Sequence, residues 1–147
     1  MKKLLFILIL MLPVFSAVCE SPGGTLYVKV TGLRNSNGWV VCHLFNSKEG
    51  YPTKSKMAMK FINDFALKDS VAEFTFNNLQ PGFYAFTVHH DENGNKKMDK
   101  NFLGLPNEGW ACSNNATGFL GLAIPSFNSA KFEVKGNLVK QYITMNY

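Results

Sequence analysis

The chain has few of the residues and motifs that are typical of nucleic-acid-binding proteins and hydrolases. Only one of its 15 basic residues is an arginine, Arg34, and the lysines are scattered rather than clustered. A basic surface for nucleic acid is therefore excluded. No G-x-S-x-G sequence occurs, and the sequence pairs no serine or cysteine with a histidine for nucleophilic catalysis. We therefore expect a protein that is not an enzyme.

Long apolar runs are equally scarce. The run from Leu4 to Leu12 follows Lys2 and Lys3 and is too short to span a bilayer, so it predicts a signal peptide over residues 1–19. A lipoprotein anchored at Cys19 is the alternative. No second transmembrane segment follows, and we therefore expect an exported chain that is periplasmic or secreted.

A single domain, residues 20–147, remains after removal of the signal peptide. Loss of two lysines leaves 13 basic against 10 acidic side chains, a net charge of +3. The domain is long enough to bury a hydrophobic core. Its cysteines admit two interpretations. Cys42 and Cys112 form a disulfide in an oxidising compartment, or Cys42 is a buried thiol on the face that it shares with Val40 and Leu44.

Apolar residues in this domain recur with a period of two, in short runs separated by turn residues, which is typical of β-strands. We predict strands at residues 26–30, 39–45, 61–67, 71–76, 84–90, 130–134 and 138–147. Turn signals at 35–38 and 136–137 predict a first and a last β-hairpin, and residues 91–129 predict one long ordered loop after the central strand. About seven strands without a long helix predict an all-β, antiparallel β-sandwich.

The turn before the central strand has a familiar form. Leu79-Gln80-Pro81-Gly82-Phe83-Tyr84 resembles the L-x-P-G-x-Y turn of transthyretin-like (prealbumin-like) sandwiches, including carboxypeptidase regulatory-type domains. Proline and glycine make the turn, while the tyrosine packs inward and its hydroxyl caps nearby backbone. The resemblance implies a sandwich of this kind.

A wider set of motifs resembles a family of exported bacterial proteins known as domain of unknown function number two-one-four-one. The matching pieces cover roughly residues 25–147 and include Gly32-Leu33-Arg34-Asn35, Pro81-Gly82-Phe83-Tyr84, His90-Asp91-Glu92-Asn93-Gly94-Asn95, Phe102-Leu103-Gly104-Leu105-Pro106 and Ser113-Asn114-Asn115-Ala116. Membership implies export and a β-sandwich. It brings no activity, so the site has to be argued from its residues.

An acidic turn directly after the central strand has the spacing of a calcium-binding loop. Asp91, Asn93, Asn95 and Asp99 occupy relative positions 1, 3, 5 and 9, and the carbonyl of Lys97 occupies position 7. Calcium prefers several oxygens from such a tight turn. The sequence therefore predicts a Ca²⁺ site made of these five residues, with an affinity in the ~10⁻⁴–10⁻³ M range of extracellular modules.

Two positions depart from the EF-hand form of this loop. Position 6 is Lys96 where glycine is usual, and position 12 is Phe102 where a bidentate glutamate is usual, which leaves Glu108 as a later carboxylate. A metal-free Asx turn remains an alternative. So does a zinc site that uses His90, Asp91 and Glu108. His89 and His90 point to opposite faces of their strand and are not expected to bind one metal together.

Three functions follow from these features. In the first, a binding module presents the 91–129 loop, with Phe102, Trp110 and Phe119, to a protein or glycan partner. In the second, a structural domain of the cell envelope assembles through a sheet edge. In the third, a hydrolase uses His90, Asp91 and Glu108. The polar run Ser113–Gly118 either packs as a compact loop beside the calcium turn or lines a ligand groove with Trp110. We favour the binding module.

Overall fold

The computed structural model describes residues 23–64, 67, 69–118 and 124–147, so the predicted signal peptide lies outside the described residues. These residues form eight strands: β1 (Gly24–Thr31), β2 (Trp39–Phe45), β3 (Lys60–Asp64), β4 (Ala72–Leu79), β5 (Gly82–Asp91), β6 (Gly109–Cys112), β7 (Phe132–Val134) and β8 (Leu138–Thr144). One short helix, α1, covers Phe127–Ala130. None of the helices in the described ranges is long and apolar enough to cross a membrane.

The strands form two sheets that pack as a sandwich. The smaller sheet has the order β4-β1-β8, and the larger has the order β3-β2-β5-β6, with β7 paired to the start of β5. The predicted all-β sandwich is therefore confirmed. It carries one parallel strand pair, since β1 runs parallel to β8, while the other strand pairs are antiparallel.

Alternation along the strands builds the core between the two sheets. Leu26, Val28 and Val30 of β1 are fully buried, and the residues between them are half-buried. Phe86 and Val88 of β5 face them from the larger sheet. Because successive side chains of a strand point to opposite faces, this period-two burial fixes which face of each sheet is internal.

Both predicted hairpins are wrong. After β1 the chain crosses to the other sheet, where β2 pairs with β3 and β5. Leu33 in this crossing is buried and joins the core. At the other end, β7 pairs with β5, whereas β8 crosses to the smaller sheet beside β1. A turn signal marks where the chain reverses. It does not say whether the next strand pairs with the last one or packs over it.

The predicted 91–129 loop is interrupted by regular structure. Strand β6 extends the larger sheet beside β5, and α1 lies next to it. On the outer face of the larger sheet, Ala85 of β5, Cys112 of β6 and Ala130 of α1 form a second cluster of buried residues. Tyr51 packs edge-to-face on Phe127 and closes this second cluster from outside.

The two cysteines are free and buried. Cys42 pairs with Val88 of β5, and Cys112 pairs with the neighbouring Thr87. Adjacent residues of β5 face opposite sides, so Cys42 points into the core and Cys112 into the outer cluster. A disulfide between them would require the sheet to open. The interpretation of Cys42 as a buried core thiol is confirmed.

Both thiols should be unreactive until the protein unfolds. Burial raises the pKa of Cys112 to about 11 and the pKa of Cys42 well above its usual range, so almost no thiolate is present at pH 8. We expect iodoacetamide to leave native residues 20–147 unmodified and to add two groups to them after denaturation without reductant, as measured by intact mass. A mass showing a Cys42–Cys112 disulfide would contradict this strand arrangement.

Candidate functional site at the end of strand β5

The turn after β5 begins with a buried aspartate. Asp91 is only 1% exposed, and both of its carboxylate oxygens accept backbone hydrogen bonds. Asn95 N donates to Oδ1 at 3.0 Å, and Lys96 N donates to Oδ2 at 2.7 Å. Gly38 lies directly against the Asp91 carbonyl oxygen, where a Cβ atom would clash. The turn is thus fixed to the end of the sandwich by its first residue.

Three other predicted ligands converge within the turn. The side-chain amide of Asn93 donates to Asp99 Oδ2 at 2.7 Å, and that of Asn95 donates to the two Asp99 oxygens at 3.0 and 3.2 Å. Their amide oxygens accept the N–H groups of Asn95 (3.0 Å) and Lys97 (2.8 Å), closing two Asx turns. The predicted spacing therefore brings side chains together around Asp99.

This arrangement has features of a calcium loop but differs from one in its hydrogen bonding. Lys96, at the position usually taken by glycine, adopts φ +64° as the loop form requires. Asp99, however, is surrounded by amide N–H donors. A cation at Asp99 would have to replace those donors with oxygens. Within the described residues, no group of three or more histidine, cysteine, aspartate or glutamate side chains could hold a metal ion.

Glu108 joins the turn to β5 and to the segment that follows it. This carboxylate is 3% exposed. Its Oε1 accepts from Glu92 N at 3.1 Å, and its Oε2 accepts from Asp99 N at 3.1 Å and from His89 Nε2 at 2.9 Å. An ionised carboxylate only accepts hydrogen bonds, so His89 carries its proton on Nε2. The three donors stabilise a charge that would otherwise be costly to bury.

His89 and His90 lie on opposite faces of β5, as the sequence predicts. His90 is fully buried, with Nε2 at 2.9 Å from the Asn37 carbonyl and Nδ1 at 2.7 Å from the Tyr147 hydroxyl. The carbonyl can only accept, so Nε2 donates to it, and Nδ1 accepts from Tyr147 when the ring is neutral. Glu108 contacts His89 instead. The set of His90, Asp91 and Glu108 proposed for zinc or hydrolysis is therefore not assembled.

An ion pair closes the other side of the turn. Arg34 binds Glu92 with two parallel hydrogen bonds of 2.8 and 3.1 Å, and its guanidinium lies 4.4 Å from the centre of the Tyr147 ring. Partial burial opposes the charge of Glu92, but the hydrogen bonds from Arg34 and Asn35 hold its pKa below its usual range. This contribution to stability is present at neutral pH and is lost as the pH falls through that lowered pKa.

A small hairpin extends from the turn. Asn107 N donates to the Asp99 carbonyl, Asn101 N donates to the Leu105 carbonyl, and the Asn101 side chain accepts from the N–H groups of Leu103 and Leu105. These backbone bonds and the Asn101 side chain order the tip. Within it, Phe102 is 95% exposed and Leu103 is 67% exposed. We call residues 102–105 the apolar tip.

The polar run after β6 has a structural role that the sequence does not reveal. The Ser113 hydroxyl accepts from Phe86 N (3.0 Å) and donates to the Ala130 carbonyl (2.7 Å). The Asn115 amide donates to the Tyr142 carbonyl (3.3 Å) and accepts from Thr144 N (2.8 Å). Asn115 therefore occupies the outer edge of β8 as a neighbouring strand would. These bonds make Ser113 and Asn115 part of a compact connection that joins β5, β8 and the end of α1.

The predicted contact aromatics end up in different surroundings. Phe102 is in the apolar tip. Trp110 is half-buried in β6 and packs against the outer cluster, while Phe119 lies outside the described residues. Signals for the hairpin were present in the sequence, since Asn101 and Gly104 flank two apolar residues. Strand β6 was missed because its run of four residues is short.

A comparison with known protein families identifies the family of this chain. Residues 28–141 match the family described as "Uncharacterized protein conserved in bacteria (DUF2141)". The chain belongs to this family. No curated protein and no solved structure matches it. The expected family membership is therefore confirmed.

Glu108 should be the residue on which the order of the turn depends most. Glu108→Gln removes the charge that attracts three donors and places an amide N–H among them, so we expect the free energy of unfolding to fall by about 1–3 kcal/mol in urea titrations. Amide exchange at Glu92 and Asp99 should quicken. The control is Glu73→Gln, which affects an exposed pair with Lys29 and should change stability by less than about 0.5 kcal/mol. Equal effects would refute this role.

Proposed function

We propose that this chain is an exported binding module that contacts its partner through the hairpin at residues 99–107. One observation carries the proposal. The hairpin exposes Phe102 by 95% and Leu103 by 67%, although it is ordered by its own backbone hydrogen bonds and by the Asn101 side chain. Exposed apolar residues grouped on a rigid element are typical of interaction sites. A loop built only to connect two strands has no need of them.

Export is part of the same proposal. Its support is the charged start of the chain followed by the apolar run from Leu4 to Leu12. A transthyretin-like relationship of the sandwich is also proposed. In its favour, Tyr84 is buried and its hydroxyl donates to the Gln80 carbonyl at 2.7 Å, as the resemblance implied.

The alternatives have less support. A structural domain would assemble through an edge of a sheet, and at one of the edge strands, β8, Asn115 already occupies the backbone groups of Tyr142 and Thr144. A hydrolase would need His90 beside Glu108, and these residues face different sides of β5. We continue to expect that the protein is not an enzyme.

Calcium uptake by Asp91, Asn93, Asn95, Lys97 and Asp99 is the second element of the proposal. In its favour, the turn already contains two Asx turns, and Lys96 at position 6 adopts the left-handed backbone conformation. Binding would exchange the amide donors at Asp99 for a cation and would further stiffen the base of the hairpin. The hairpin does not depend on the cation, because its hydrogen bonds involve other groups.

The calcium proposal is tested by introducing one more carboxylate. Asn95→Asp puts a second negative charge against Asp99, so in EDTA we expect a lower melting temperature than that of the wild type. Millimolar Ca²⁺ should reverse this loss. At roughly ten times its dissociation constant, the ion should stabilise either protein by about 1.4 kcal/mol.

The control for this experiment is Asn101→Asp, which adds the same charge in the hairpin, where the carboxylate can keep both backbone hydrogen bonds. Its melting temperature should not depend on Ca²⁺ more than that of the wild type. If Asn95→Asp melts at the same temperature in Ca²⁺ and in EDTA, the turn is a metal-free Asx turn.

Site-specific photocrosslinking tests the binding module itself. A benzoylphenylalanine at position 102, in cells that export the chain, should give a discrete crosslinked species with a protein or with lipid. The same group at position 83 should not. Phe83 is also exposed but lies at the opposite end of β5 from the turn. Crosslinks that are absent at 102, or equal at both positions, would contradict the proposed contact surface.

A further inference from the structure

Lysines are the most exposed charged residues of the segment 91–108. The acidic groups of the segment are each buried, paired or accepting hydrogen bonds within it: Asp91, Glu92, Asp99 and Glu108. Its basic groups, Lys96, Lys97 and Lys100, are all exposed. The charged side chains that are most exposed around the hairpin are therefore lysines, although the segment contains four acidic and three basic residues.

The apolar tip lies beside this charge. Lys100 pairs with Pro106 at the base of the hairpin, two residues before Phe102. Beyond it, Phe102, Leu103 and Leu105 are 95%, 67% and 37% exposed. The hairpin is therefore apolar at its end and carries an exposed lysine, Lys100, at its base. Lys96 and Lys97 stand in the turn from which it extends.

We propose that this hairpin binds the surface of a lipid bilayer that contains anionic headgroups. Phe102 and Leu103 enter the boundary between headgroups and acyl chains, and the three lysines lie at headgroup level. The inference rests on the proposed function, because it names the partner of the same site. An apolar patch that penetrates the interface, ringed by lysines that contact anionic lipids, is how peripheral proteins attach to membranes.

The arrangement favours a bilayer over a protein partner for two reasons. Lysine side chains have long apolar stems and can remain hydrated while the tip is inserted, so their position at the base costs little desolvation. In addition, the tip is the short end of a hairpin and carries only three exposed apolar side chains, Phe102, Leu103 and Leu105. A fluid interface accommodates such an element without a preformed complementary pocket. Attraction to anionic lipid should weaken as salt screens the lysines.

The test uses the mature chain and vesicles of defined composition. We expect cosedimentation with vesicles of phosphatidylglycerol and phosphatidylcholine, and much weaker cosedimentation with phosphatidylcholine alone. Phe102→Ser should reduce the partition coefficient about tenfold. Each of Lys96→Gln, Lys97→Gln and Lys100→Gln should reduce it about fivefold. Because these side chains are exposed, circular dichroism should show that each variant remains folded.

Phe83 provides the matched control. It is 53% exposed, and a lysine, Lys131, lies 5.2 Å from the centre of its ring. Phe83→Ser therefore removes an exposed aromatic beside a lysine at the other end of the molecule, and it should leave binding unchanged. In a second measurement, Phe102→Trp should shift its emission to the blue on anionic vesicles and be quenched by brominated lipid, whereas Phe83→Trp should do neither.

Three outcomes would overturn the proposal: no binding to anionic vesicles, equal binding to neutral ones, or equal loss with Phe83→Ser. A protein adduct from position 102 in cells, together with no vesicle binding, would mean that the hairpin is a contact site for a protein and that only the lipid assignment fails. Absence of both would refute the binding module as well.

Discussion

The buried carboxylate of Glu108 is the interaction on which the candidate site depends. It accepts from His89 on the strand, from Glu92 at the start of the turn and from Asp99 at the start of the hairpin. Residues far apart in the chain are thereby brought to one point. A carboxylate buried to this degree is tolerable only while all its donors are in place. The same requirement keeps the turn in one conformation, because opening it would leave a buried charge unpaired.

The surroundings of Glu108 show how the fold directs its polar groups. His89 faces outward to Glu108, whereas His90 faces inward to Tyr147 and Asn37. Each of the two adjacent histidines thus hydrogen-bonds to a different part of the chain: His89 to Glu108 on one face of β5, and His90 to Asn37 and Tyr147 on the other. The alternation of a strand makes this possible. Alternation also prevents His89 and His90 from forming a shared metal or catalytic site. Such a site is what two histidines at a strand end beside carboxylates would otherwise suggest.

Much of the sandwich was predictable from sequence, because period-two burial is a local property. The strands at residues 26–30, 39–45 and 84–90 lie within observed strands. Pairing was not predictable in the same way. Residues 35–38 and 136–137 do connect two strands each, but the chain uses both segments to change sheets, and β8 lies parallel to β1. Which strand becomes a neighbour is decided by burial of the whole inner face, and no single turn contains that information.

The candidate site, too, has one part that the sequence predicts and another that it does not. Asn93, Asn95 and Asp99 converge because Asx turns follow from the spacing of a few residues. Glu108 could be named as a later carboxylate but not assigned its donors, since these lie 9 to 19 residues away in sequence. The roles of Ser113 and Asn115 were missed for the same reason. Their hydrogen bonds join elements whose proximity only the folded chain creates.

The hairpin separates the residues that give stability from those offered to a partner. Its order comes from backbone hydrogen bonds, the Asn101 side chain and the link to Glu108. Phe102 contributes almost no burial to the folded state, since it is 95% exposed. Substitution there can therefore change an interaction without unfolding the domain. Because the tip is ordered beforehand, binding would also lose less conformational entropy than binding by a flexible loop of the same sequence.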